Sequence, residues 1–124
     1  MCLICDRIQQ IKNGTNPYFV KELEPAFKAR FLEEMSLAAE AAYHAFGAEK
    51  MNYELLGNGD THLHWHLFPR KKGDLKEYGN HGKGPVWWYP MEKMYDDTNR
   101  PTQKELEEMK TALRKELDKL VKKD

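Results

Sequence analysis

The sequence predicts an α+β fold: an antiparallel sheet with a long helix packed on it, followed by a C-terminal amphipathic helix. Apolar residues recur at helical spacing over 27–46. Apolar and polar residues alternate over 51–55 and again over 61–68, as they do in half-buried strands. A second helical pattern runs over 102–120. A chain of this length suits one domain, which we expect to comprise residues 1–124.

Both predicted helices carry signals at their ends. Pro25 opens the first helix, since proline is tolerated in a first turn, and Gly47 ends it. The apolar face of this helix comprises Phe27, Phe31, Met35, Ala38, Ala42 and Phe46. Thr102 and Glu105 match a capping box at the start of the last helix. The apolar stripe of the last helix comprises Leu106, Met109, Leu113, Leu117 and Leu120.

A turn sequence joins the two predicted strands into a hairpin. Alternation over 51–55 predicts a half-buried first strand whose apolar residues occupy the odd-numbered positions. Gly57-Asn58-Gly59 is a strong turn signal, and the second strand follows over 61–68 until Pro69 ends it. The segment 70–85 is basic and rich in glycine, which predicts a surface loop.

Charge and hydropathy narrow the classes of partner. Lys plus Arg and Asp plus Glu number 20 each, so the formal net charge is zero. A protein that binds long nucleic acids would show a basic excess, whereas a small nucleotide bound in a local pocket fits this balance. The sequence has no apolar run of membrane-spanning length and no signal-peptide pattern at its start. We therefore expect a cytoplasmic protein without a membrane partner.

The two cysteines, Cys2 and Cys5, have the spacing C-x-x-C. In a reducing compartment this spacing is typical of a metal knuckle or a redox pair rather than of a structural disulfide. Two solvent-reachable thiols near the start of the chain would show the same spacing. The spacing alone leaves these alternatives open.

The most informative segment holds three alternating histidines, His62, His64 and His66. Side chains alternate along a strand, so the three imidazoles are predicted to share one face. Neighbouring histidines on that face would lie about 6.5–7 Å apart. Three ionisable rings in a row contribute little to a core, so packing alone does not explain the pattern.

Three interpretations compete for these histidines. An H-x-H pair on a strand can bind one metal ion from the same face. Alternatively, one neutral imidazole attacks an electrophile while its neighbours position the substrate and move protons. The third interpretation is a polar strand face on which histidine recurs by chance. Strict alternation of three histidines, in a chain that holds five, makes chance the least favoured of the three.

The segment His62-Leu63-His64-Trp65-His66-Leu67-Phe68 resembles the signature of the histidine triad (HIT) family, which is H-x-H-x-H followed by two apolar residues. Pro69-Arg70 after the triad and the Cys2-x-x-Cys5 pair are similar to features of bacterial members. The resemblance implies a HIT-like version of the α+β fold. It also implies a homodimer, joined through the helix and the adjoining strands.

The resemblance implies a nucleotide hydrolase that acts at an α-phosphate. The central histidine of the family, here His64, attacks phosphorus and forms a nucleotidyl-histidine intermediate. The first, here His62, fixes the tautomer of the nucleophile through its backbone carbonyl, and the third, here His66, stabilises charge. Transferase relatives replace the third histidine with glutamine, so hydrolysis is expected here. The implied substrates are dinucleoside polyphosphates or nucleoside phosphoramidate-type compounds, and the chemistry requires no cofactor.

Further site residues follow from the same resemblance. Asn52 lies near the position where many members hold an asparagine that contacts phosphate, although its spacing to His62 is one residue shorter than in those members. Backbone N–H groups of Gly57-Asn58-Gly59 could stabilise phosphoryl charge. Several bacterial members bind structural zinc, and here Cys2, Cys5 and His62 have counterparts among its ligands.

Two other functions stay open. One is a metal-dependent enzyme or metal-binding module that uses the H-x-H pairs. The other is a catalytically impaired nucleotide-binding dimer, because the family usually has a pair of pocket strands where this chain passes almost directly from Val20 to Pro25. Chelator-resistant turnover favours the hydrolase, metal-dependent turnover the metalloenzyme, and binding without turnover the impaired dimer.

Overall fold

The computed structural model describes residues 22–56, 62–78 and 89–122, together with residues 9, 12 and 13. The elements in chain order are helix α1 (Pro25–Ala45), strand β1 (Lys50–Glu54), strand β2 (His66–Arg70), short helix α2 (Met91–Met94), a 3-10 turn (Asp97–Asn99) and helix α3 (Gln103–Val121). Strands β1 and β2 pair as a two-stranded antiparallel sheet. The predicted α+β class is confirmed.

Helix α1 begins and ends where its local signals predict. It begins at Pro25. At its other end Gly47 has a φ of +59°, the left-handed conformation that glycine adopts without a steric penalty. The backbone N–H of Ala48 then donates to the carbonyl of Tyr43, five residues earlier, at 2.9 Å. A hydrogen bond with this span is typical of a Schellman motif.

Burial along α1 differs from the predicted apolar face. The large members of that face, such as Phe27 and Phe31, are only half-buried. The most buried positions are Ala39 and Ala41, with Ala42 close behind. Alanine has only a Cβ beyond the backbone, so these positions can be enclosed where neighbouring backbone approaches closely. The periodicity located the helix correctly but not its most enclosed side.

Helix α3 confirms the predicted capping box. Thr102 Oγ1 accepts a hydrogen bond from the Glu105 backbone N–H, and the Glu105 carboxylate accepts one from the Thr102 backbone N–H. These bonds satisfy donors that the first turn of a helix leaves unpaired. The hydrogen bonds from Thr102 hold the pKa of Glu105 below its ordinary value. The apolar stripe is less buried than predicted, since Met109 and Leu117 are exposed.

The strands depart from the prediction at three positions. Strand β2 begins at His66, whereas residues 62–65 precede the strand. Pro69 lies inside β2, where proline is tolerated at a position whose N–H is not needed for the ladder. Tyr53 of β1 is 50% exposed and not turned into the core.

Arg70 contradicts the predicted surface loop, because it ends β2 and is only 5% exposed. Its Nε donates to Asp74 Oδ2 at 2.8 Å, and its Nη1 donates to Asn52 Oδ1 at 2.8 Å. Its Nη2 donates to Asp74 Oδ1 and to the backbone carbonyl of Tyr78. A cation is tolerated in the interior only when its donors are paired, and these acceptors supply the pairing.

The carboxylate of Asp74 completes this cluster. Burial alone would raise the pKa of Asp74, but hydrogen bonds from Arg70 and from the backbone N–H groups of Lys71 and Leu75 lower it, and the net direction is down. A carboxyl group whose pKa is lowered by folding stabilises the fold above its unfolded pKa of about 4. That stabilisation is lost as the pH falls through the lowered pKa.

The chain divides into two compact units. One comprises Met1–Met35 and Tyr53–His66, and the other comprises Ser36–Asn52 and Leu67–Asp124. No helix in the described ranges is long and apolar enough to cross a membrane. The extent of the single domain stays a prediction.

We expect Arg70→Lys to destabilise the fold by about 2 kcal/mol, because an ammonium cannot make the bidentate contact with Asp74 and leaves acceptors unpaired. The measurement is the free energy of unfolding from urea titration. Arg30→Lys is the matched control, since the Arg30–Glu34 pair is largely exposed and its change should stay below about 0.5 kcal/mol. Equal effects of the two substitutions would contradict a structural role for the Arg70 cluster.

Candidate active site

The imidazoles of the three predicted site histidines lie side by side. The ring centroids of His62 and His64 are 4.8 Å apart with planes tilted by 38°, and those of His64 and His66 are 4.8 Å apart with a tilt of 41°. This spacing is shorter than the strand repeat of about 6.5–7 Å, so the side chains lean toward one another. The prediction that all three lie on one strand is wrong, since only His66 belongs to β2. The three rings nevertheless lie next to one another, as the alternation of the histidines predicts.

One hydrogen bond fixes the chemistry of the central ring. The Nδ1 atom of His64 lies 2.9 Å from the carbonyl oxygen of His62. A carbonyl oxygen only accepts, so the hydrogen of this bond sits on Nδ1. In the neutral ring the lone pair is then on Nε2, which is the nitrogen free for bond formation. The backbone around His62 thus selects one tautomer of His64.

The residue between the second and third histidines anchors this segment. The ring of Trp65 packs against Phe31 of α1, with centroids 5.6 Å apart and planes tilted by 33°. Among the described residues, Trp65 Nε1 is the buried side-chain polar atom that lacks a hydrogen-bond partner. A buried donor without an acceptor costs about 1–3 kcal/mol, which the apolar burial of the indole must offset. The aromatic contact therefore places the backbone from which the neighbouring histidines project.

The histidine rings differ in exposure. His62 and His64 are half-buried, and His66 is exposed. A ring that is partly enclosed is held in position while its edge stays accessible to a ligand. The triad therefore has the accessibility that a reacting group needs.

Asn52 lies in β1, where its Oδ1 accepts the hydrogen bond from Arg70. The sequence did not predict this partner. The signal that could have identified Arg70 as a buried partner is the opposite charge of Asp74 four residues later, in a segment that the sequence predicts to be a surface loop. The contact of Asn52 with phosphate stays a prediction.

The remaining predicted site residues are outside the described part of the chain. They are Gly57, Asn58 and Gly59 of the turn and the cysteines Cys2 and Cys5. Within the described ranges, no group of three or more His, Cys, Asp or Glu side chains is placed to hold a metal ion. Structural zinc at Cys2, Cys5 and His62 stays a prediction, because both cysteines lie outside the described residues.

Solved structures of bacterial histidine triad proteins are similar to this chain. One from Sinorhizobium meliloti 1021 is 28% identical with a TM-score of 0.64, and the match covers 80% of this chain and 65% of that one. One from Marinobacter aquaeolei VT8 is 28% identical with a TM-score of 0.62, covering 86% and 69%. One from Bradyrhizobium japonicum, at 22% identity and a TM-score of 0.63, is similar in fold over 82% and 68%.

The chain spans about two thirds of the length of these structures. No protein-family model and no curated protein matches it. The similarity in fold nevertheless coincides with the three clustered imidazoles of His62, His64 and His66. On these grounds the chain is similar to bacterial histidine triad proteins in both its fold and its clustered histidines.

Proposed function

We propose that the chain is a nucleotide hydrolase that acts at an α-phosphate through a nucleotidyl-histidine intermediate on His64. The observation that carries this proposal is the 2.9 Å hydrogen bond between His64 Nδ1 and the carbonyl of His62. It leaves the lone pair on Nε2, so the ring can attack phosphorus as a neutral nucleophile without a separate base. Histidine triad proteins are generally nucleotide hydrolases or transferases.

The reaction proceeds in two displacements at phosphorus. In the first, the Nε2 lone pair of His64 forms an N–P bond while the bond to the leaving group breaks, and the leaving group takes that electron pair. In the second, water forms a P–O bond while the N–P bond breaks, and the electron pair returns to Nε2. The proton lost by water balances the one gained by the leaving group. The products are a nucleoside monophosphate and the free leaving group.

His66 is proposed to stabilise the charge that develops on the phosphoryl oxygens. Its ring lies next to the ring of His64, with centroids 4.8 Å apart, and His66 is the first residue of β2. A donor placed beside the reacting ring can bind an oxygen whose charge grows in the transition state. His62 serves through its backbone carbonyl, which orients His64.

The proposed substrates are dinucleoside polyphosphates or nucleoside phosphoramidate-type compounds. In both, the α-phosphorus carries a leaving group that departs with the electron pair of its P–O or P–N bond. Backbone N–H groups of Gly57, Asn58 and Gly59 are proposed to contact the phosphate. The chemistry needs no metal, because a neutral imidazole itself supplies the lone pair that attacks phosphorus.

A second candidate function is nucleotide binding without turnover. The observation that favours it is coverage, since the match spans only 65–69% of each of these histidine triad structures. The segment from Val20 to Pro25 is shorter than the pocket strands that the family usually carries there. A protein that lost part of its pocket could still bind a nucleotide as a dimer.

His64→Ala and His64→Gly should abolish turnover of a diadenosine polyphosphate and leave the urea midpoint nearly unchanged, because the lost ring is half-buried and its loss opens little cavity. The measurements are initial rates and intact mass spectrometry after mixing. The wild type should gain the mass of one nucleotidyl group, and neither variant should.

His44→Ala is the matched histidine control, because His44 is exposed on α1 and packs edge-on against Tyr43. It should retain both activity and adduct. Normal rates in either His64 variant would eliminate this residue as the nucleophile. Turnover that a chelator abolishes would favour the metalloenzyme, and nucleotide binding without adduct or product would favour the second candidate.

His66→Ala should slow turnover by about 100-fold and still allow the adduct to form, since it removes charge stabilisation and not the attacking atom. Single-turnover kinetics, followed by mass spectrometry, separate adduct formation from its hydrolysis. Complete loss of the adduct would show that His66 does more than stabilise charge.

We also propose a homodimer. Members of the histidine triad family commonly join through the helix and the adjoining strands, and a second copy could extend the short sheet of the described residues in this way. Light scattering coupled to size exclusion at micromolar concentration should give twice the chain mass. A mass of one chain would refute the dimer.

A further inference from the structure

The two histidine rings that take part in the proposed reaction are separated in sequence by one residue, Trp65. His64 lies before the sheet begins, whereas His66 is the first residue of β2. Pairing with β1 constrains the backbone from His66 onward and does not extend back to His64. The 4.8 Å between the two rings is also shorter than the strand repeat, so regular strand geometry does not produce it. Another contact must hold the backbone between the two histidines.

Trp65 is held through its side chain. Its indole packs against the ring of Phe31 in α1, with centroids 5.6 Å apart and planes tilted by 33°. Its Nε1 is enclosed and, within the described ranges, has no hydrogen-bond partner. The indole is therefore held by packing, and aromatic pairs pack in preferred mutual geometries. The position of Trp65 thus depends on the ring of Phe31.

We propose that Phe31 is a positioning residue: by packing against Trp65, it sets the distance between the two histidine rings that flank this tryptophan. Trp65 is bonded to both histidines, so a fixed indole constrains the peptide units that carry the rings. This inference rests on the proposed function, in which His64 attacks phosphorus and His66 stabilises the phosphoryl charge. A donor stabilises that charge only within hydrogen-bonding distance of the oxygen, so a displaced His66 slows the reaction while the attacking atom stays in place.

The tautomer of His64 provides an internal reference, because it depends on a different contact. The His62 carbonyl lies 2.9 Å from His64 Nδ1, on the side of His64 that is remote from Trp65 in sequence. Loss of the Phe31 contact should therefore separate the rings of His64 and His66 and leave the hydrogen on Nδ1. A general loosening of the segment would change both properties.

Phe31→Leu removes the aromatic contact and keeps an apolar side chain on α1. In NMR spectra of the histidine rings, the NOE between ring protons of His64 and His66 should be lost, while the nitrogen shifts of His64 should still report hydrogen on Nδ1. Turnover of a diadenosine polyphosphate should fall by about tenfold or more, because a small misplacement of a stabilising group is costly to the rate. An unchanged NOE in folded Phe31→Leu would overturn the inference.

Phe46→Leu is the matched control. Phe46 is also half-buried, but it lies just after α1 in the other compact unit. This variant should lower the urea midpoint as Phe31→Leu does and should retain both the NOE and the turnover rate. Loss of the NOE in Phe46→Leu would overturn the inference, because the ring spacing would then follow overall stability.

Trp65→Phe and Trp65→Leu test the other side of the contact. Trp65→Phe removes the unpaired donor and keeps an aromatic ring opposite Phe31, so it should retain the NOE. Trp65→Leu removes the aromatic ring and should lose the NOE. Equal loss in the two variants would show that the aromatic contact does not set the spacing.

A double-mutant cycle tests whether Phe31 acts through His66. Phe31→Leu should slow turnover in the wild-type background and have little further effect in a His66→Ala background, where the displaced group is already missing. Equal effects in both backgrounds would overturn the positioning role. If Phe31→Leu does not fold, Phe31→Met replaces it in every measurement, since methionine fills a similar volume without a ring.

The readouts separate this inference from the hydrolase proposal, because the NOE and the tautomer are measured without nucleotide. A wild type that forms the nucleotidyl adduct, while Phe31→Leu keeps the NOE, refutes the inference alone. A wild type that forms no adduct refutes the hydrolase, whatever the NOE shows.

Discussion

The buried guanidinium of Arg70 is the interaction on which the described sheet and its following turn depend. Its donors reach Asn52 in β1 and both Asp74 and Tyr78 beyond β2, so three segments meet at one side chain. An interior cation is stable only while its acceptors stay in place. The register of the two strands and the shape of the turn are therefore coupled, because a shift of either would leave a buried charge unpaired.

Local signals predicted the ends of the helices, whereas the burial of Arg70 could not be predicted in the same way. Pro25, Gly47 and Thr102 act within one helical turn, so the residues that decide each end are neighbours in sequence. The acceptors of Arg70 lie 4, 8 and 18 residues away, and their convergence depends on strand pairing. A basic residue beside glycine and lysine resembles a solvated loop until that pairing is known.

The candidate active site also combines features that the sequence predicts with features that depend on the folded backbone. Alternation identified His62, His64 and His66 as a cluster, and the rings do lie side by side. It misplaced the start of the strand, because alternation reports which way side chains point and not whether the backbone is paired in a ladder. The bond between His64 Nδ1 and the His62 carbonyl joins residues two apart, yet it depends on a backbone geometry that the residue types do not specify.

The locality of that bond determines which part of the chain sets the state of the central ring. The match covers about two thirds of each solved histidine triad structure, and the tautomer of His64 is set by the residue two positions earlier in this chain. Residues elsewhere in the chain therefore do not decide which ring nitrogen of His64 carries the hydrogen.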